Sequence, residues 1–123
     1  MEQAPDPLAQ RIFLDQLSTL FSEAAAIYKD YLEAGSTYHQ ACRLRDINAR
    51  QVRLLQQNRT LLPDNFQEGI DALLHHFSVW RTKWDLLDTS LTHAPGDKFV
   101  FANEVRFPRE AAQQLEALRT SLR

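Results

Sequence analysis

A chain of 123 residues fits one domain that buries a core without disulfide or metal staples. A hydrophobic fraction of 44%, a charged fraction of 24% and a net charge of −2 exclude any overall pull toward nucleic acid or anionic lipid. The single cysteine, Cys42, excludes an intrachain disulfide, and no run of about 18 apolar residues is present to cross a membrane.

The start, MEQAPDPLAQ, is acidic and lacks the basic and apolar stretches of a secretory signal, so the expected location is the cytoplasm. A first helix is predicted over 7–34. Phe13, Leu17, Leu20, Ala24, Ile27, Tyr31 and Ala34 follow a 4-3 spacing, and Leu14, Phe21 and Tyr28 widen the stripe. Asp6 is placed to cap it, Pro7 fits its first position, and Gly35 is its stop. The same spacing runs on through Tyr38 and Ala41, which leaves one bent helix as the alternative to two.

A second helix is predicted over 38–62, with Thr37 and Gln40 at capping-box spacing and Pro63 as its end. Leu44, Ile47, Val52, Leu54, Leu55 and Leu62 form its apolar face, interrupted by Gln40, Asn48, Gln51 and Asn58. A third helix is predicted over 65–92, opened by Asp64 or Asn65. Phe66, Ile70, Leu73, Phe77, Trp80, Trp84, Leu87 and Leu91 make its seam.

Residues 98–107 depart from this pattern. Phe99, Phe101, Val105 and Phe107 alternate with a period of two, broken at Asn103, which reads as a strand or as an extended hook over the bundle. Pro108 then opens a short helix over 108–121, with Ala111, Ala112, Leu115, Leu118 and Leu122 facing inward. The expected fold is therefore all-α: an antiparallel bundle of three long helices and a short C-terminal one, in a single domain over 1–123.

Charge alternates along the chain. Residues 1–35 carry −4, residues 36–63 carry +4, residues 64–97 carry −4 and residues 98–123 carry +2. The simplest packing sets the basic second helix beside both acidic ones.

Four chemistries merit weighing. Arg43, Arg50 and Arg53 share a helical face and are the candidate nucleic-acid residues, but a pI near 6.1 is far from that of a typical binder. His39 and Cys42, and separately Glu68, Asp71 and His75, have helical spacings that metal sites also use. No Glu-x-x-His, His-Glu-x-x-His or Cys-x-x-Cys motif accompanies them, so no metal or cofactor is expected. His75 and His76 flank the third seam with no nucleophile or glycine loop beside them, so no catalytic residue is assigned and the chain reads as a non-enzyme. Trp80 and Trp84 belong to the seam. They face core, their N–H groups meeting Asn48 or Gln51 and their rings the alanines at 24–26, or one of them anchors a partner.

The leading expectation is a small non-catalytic helical interaction module of a bacterial-type cytosolic system: a complex subunit, an adaptor or an antitoxin- or immunity-like partner. Its contacts would come from Trp80, Trp84, Phe99, Phe101 and Phe107. Self-association through the amides of the second helix is a variant. The alternatives are a nucleic-acid accessory protein and a ligand- or metal-sensing bundle around His39, Cys42 and His75.

Overall fold

The computed structural model describes residues 6–90 and 93–122. Its helices are α1 (Pro7–Glu33), α2 (Tyr38–Asn58), α3 (Gln67–Ser90) and α4 (Arg109–Ser121). The architecture is all-α, and no strand occurs among the described residues. Leu91 and the end of the predicted third helix lie outside them.

The ends of α1 follow local signals. Asp6 Oδ1 accepts from the Leu8 N–H at 3.0 Å, and Pro7 needs no partner at the first position. At the far end Gly35 adopts a φ of 82°, where a Cβ is disfavoured. The Ser36 N–H donates to Tyr31 O (2.8 Å) and the Gly35 N–H to Leu32 O (3.2 Å), the two bonds of a Schellman turn. The chain therefore reverses after Gly35 into a second helix, not one bent rod.

α2 runs antiparallel to α1. Arg43 pairs with Asp30 at 3.2 Å and Arg50 with Glu23 at 3.5 Å, so the partners descend α1 as they ascend α2. α2 also packs on α3, where Arg59 meets Asp71 at 2.6 Å. The basic helix thus lies between the two acidic ones, as the charge alternation predicts.

The α2–α3 corner is tighter than predicted. α2 ends at Asn58, followed by a 3-10 turn (Arg59–Leu61), and a second 3-10 turn (Asp64–Phe66) leads into α3 at Gln67. Two glutamines explain the early stop. Gln67 Nε2 donates to Arg59 O (2.8 Å) and Leu62 O (3.1 Å), and Gln10 Nε2 of α1 donates to Leu61 O (2.6 Å). Carbonyls satisfied this way need no further helical turn.

The predicted Thr37 capping box does not form. Thr37 is the N-cap residue, but its side chain makes no capping bond. Chain from after α3 does the work instead: Asp97 O accepts from the Tyr38 N–H (2.7 Å), and Pro95 O from the His39 N–H (3.0 Å). The Phe99 N–H donates to Ser36 O at 2.8 Å, beside an isolated antiparallel bridge between Thr37 and Lys98. Residues 98–107 are therefore the hook, tied to one turn of the chain, and not a strand.

Two cores result. Phe13, Leu14, Leu17, Leu55, Ile70, Leu73, Phe77 and Leu115 fill the end where α4 completes a four-helix arrangement. Gly69 lets α4 approach closely, because a Cβ there would stand 3.1 Å from the Ala111 Cβ. At the other end Ala41, Trp84 and Phe99 form a smaller, mostly aromatic core beneath the hook.

Candidate functional site

The hook end is built around Trp84. Its side chain is 1% exposed, and its indole N–H donates to Ala41 O at 3.1 Å. Neither Asn48 nor Gln51 is the acceptor. The small residue that makes room for the ring is Ala41 of α2, not one of the alanines at 24–26. Phe99 packs at 4.9 Å between ring centroids, and the Arg45 guanidinium lies 4.7 Å from the indole centroid. Burial works against the charge on Arg45, but its hydrogen bond to Asp46 and the field of that carboxylate outweigh this, and its pKa ends above the usual value. Trp84 and Phe99 are thus core, which corrects their assignment as partner-binding residues: neither has surface to offer.

Tyrosines fasten this end to the rest. Tyr31 Oη donates to Phe99 O at 2.5 Å, and burial raises its pKa. Tyr38 Oη donates to Asp88 Oδ1 at 2.8 Å, and that bond, with desolvation and Cys42 behind it, pushes the tyrosine pKa up to about 12.

Farther along, the hook is pinned to α3. Asn103 Nδ2 donates to His76 O (3.2 Å), and Asn103 Oδ1 accepts from the Val105 N–H (3.0 Å). His76 Nδ1 lies 2.9 Å from Val105 O. A carbonyl only accepts, so Nδ1 carries the proton in this contact. Asn103, the residue that broke the period-two pattern, is the clamp that bends the hook.

Between hook and α1 the cover is incomplete. α4 is short and the hook is thin, so the apolar stripe of α1 is buried only as far as Leu20. Beyond it a cleft of about 1120 Å³ follows α1 from Ser18 to Leu32, about 21 Å of helix axis at about 1.5 Å per residue. Ala24 and Ala25 stand on its α1 wall, Trp80, Phe101 and Phe107 on the opposite side, and Leu44, Asn48 and Gln51 of α2 along its floor. Four of the seven exposed large hydrophobic side chains among the described residues, Tyr28, Leu32, Val100 and Phe107, also line it, so apolar exposure concentrates here. Trp80 and Phe101 are half-buried with centroids 5.4 Å apart, and Phe107 is 39% exposed.

No known family, curated protein or solved structure matches this chain. The site must therefore be read from its own chemistry.

Gln51 is the unusual member of the cleft. Only two polar side chains are buried among the described residues, Gln10 and Gln51. Gln10 has its partner in Leu61 O. Gln51 is 1% exposed, and its Oε1 accepts no hydrogen bond from the described residues. Such an orphan costs about 1–3 kcal/mol. The amides meant for self-association turn inward as well: Gln51 and Asn48 line the cleft, and Asn58 donates to Leu54 O.

The other candidate sets are dispersed. Arg43 and Arg50 are spent on the α1 ion pairs described above, and Arg53 lines a smaller depression of about 640 Å³ between α2 and α3 and another of about 360 Å³ that it shares with Arg50 and Glu23. Asp71 is engaged by Arg59, and no three His, Cys, Asp or Glu side chains converge among the described residues. No helix among them is long and apolar enough to cross a membrane.

Proposed function

We propose that this chain is a non-catalytic helical binding module whose cleft between α1 and the hook receives an apolar guest. The observation that carries this reading is the cleft itself. It is a large concavity with aromatic and small apolar walls, interspersed polar side chains that include Asn48, Gln51 and Arg109, and an exposed apolar rim, the general form of a ligand site. The histidine on its wall, His76, gives its Nδ1–H to the hook carbonyl, which holds the ring in place. Trp80 is a built-in reporter on that wall.

The test uses Nile red, an apolar fluorophore. Saturable binding near one per chain is expected, with a change in Trp80 emission that is lost in Trp80→Phe. Ala25→Trp adds bulk at an exposed position on the cleft wall and should weaken binding about tenfold or more, the loss of roughly one well-packed contact area. Leu86→Ser, an exposed position away from the cleft, should leave it unchanged. Non-saturable binding, or indifference to Ala25→Trp, counts against the reading.

A second reading makes the guest a protein segment, and the exposed rim of Tyr28, Leu32, Val100 and Phe107 favours it. Phe101, Phe107 and Trp80 are then the contact residues kept from the aromatic set. If the segment belongs to a second copy of this chain, sedimentation will show a dimer that Leu32→Asp with Val100→Asp dissolves.

A further inference from the structure

We infer that the guest carries a hydroxyl or amide N–H at one point along an otherwise apolar body, and gives that hydrogen bond to Gln51 at the floor of the cleft. The inference rests on the cleft reading and specifies its ligand: an elongated apolar alcohol or amide rather than a plain hydrocarbon or ether. Two observations on different levels meet at this residue. Gln51 lines the cleft, from α2. It is also the buried polar side chain whose oxygen finds no donor among the described residues.

Three polar groups that share the cleft with Gln51 already spend their hydrogens elsewhere. Tyr31 Oη is given to Phe99 O. Asn103 is divided between His76 O and the Val105 N–H, and His76 Nδ1 is held by Val105 O. The terminal torsion of glutamine is soft, so a small swing of the amide turns its oxygen toward a guest at little cost. The long axis of the cleft along α1 sets the body of the ligand, and Gln51 sets where its polar group stops.

Isomeric probes isolate the hydrogen bond. 1-Decanol and methyl nonyl ether have the same atoms, but only the alcohol donates. Each is used to displace Nile red from the wild-type chain, from Gln51→Leu and from Gln51→Met. The alcohol-to-ether preference of the wild type should exceed that of both variants about fivefold to tenfold, the range of one neutral hydrogen bond. The variants should also melt no lower than the wild type, because each removes an unsatisfied buried group. If alcohol and ether displace the dye with the same ratio in all three proteins, the Gln51 inference is overturned while the cleft reading stands. If Nile red itself fails to bind saturably, the cleft reading falls and takes this inference with it. Two variants guard against one of them packing badly.

Discussion

The two ends of this bundle close the same three helices by different means. At one end a fourth helix lies across α1 and α3, and leucine, isoleucine and phenylalanine interlock on all sides. At the other an extended chain substitutes for that helix. It contributes one fully buried ring, Phe99, and secures itself by backbone bonds to the α1–α2 turn. A helix covers its neighbours with a broad stripe, whereas a hook covers only what its alternate side chains reach. The remainder of the α1 stripe stays uncovered, and the cleft lies along it. Regular packing accounts for stability at the first end, and irregular cover leaves space for binding between the two.

The most disruptive way to break this comparison is Trp84→Ala. Removing a buried indole costs about 3–5 kcal/mol in chemical denaturation. The loss should be local before it is global. Native-state hydrogen exchange is expected to speed up at the Tyr38, His39 and Phe99 amides, which bond within the hook end, while the segment around Ile70 and Leu73 keeps its protection. Uniform loss along the chain would show that the ends form a single cooperative core.

A gentler cut separates hook from α3. Asn103→Ala removes the bond to His76 O and the one from the Val105 N–H. Two neutral bonds correspond to about 1–2 kcal/mol. The expected signature is faster exchange at Val105 with little change at Phe99, since the hook has a separate anchor at Ser36 O. If Phe99 loosens equally, the hook moves as one piece and Asn103 is not an independent clamp.

Much of this arrangement was legible in the residues. The unbroken 4-3 spacing from Phe66 through Trp84 implied α3 and put both tryptophans on its seam, but not which of them the bundle covers. Gly35 and Pro63 marked both corners, and the charge alternation set α2 between α1 and α3. The cleft was not legible, for a definite reason. The stripe Phe21, Ala24, Tyr28, Tyr31 states that a face is apolar, but nothing in its spacing says what covers it. That depends on the reach of α4, which acts through tertiary contact. Gln51 looked like an interruption of an apolar face, and only its burial with an unpartnered oxygen distinguishes it from Gln10, whose Nε2 donates to Leu61 O. Asn103 did carry a local signal. An asparagine two residues before a valine whose N–H it can bind is an Asx turn, and the period-two reading masked it.

The smallest expected effect concerns the bond that ties α2 to the far end of α3. Tyr38 donates to Asp88, and its pKa is pushed up to about 12, first by that bond and then by desolvation and Cys42. A tyrosine held above its unfolded value of about 10 favours the fold in its neutral form. Its contribution is therefore complete below about pH 10 and disappears as pH rises from there toward 12. Tyr38→Phe removes the hydroxyl and with it this pH dependence. Plotted against pH, the Tm of the wild type should lie above that of Tyr38→Phe by a constant margin up to about pH 9 and fall toward it between 10 and 12. Tyr31, whose pKa is also raised, is present in both proteins and cancels from the difference. No margin at any pH would mean that the Asp88 bond contributes nothing to holding the hook end, and that the aromatic contacts of the ring at position 38 with Phe99 and His93, which phenylalanine keeps, suffice.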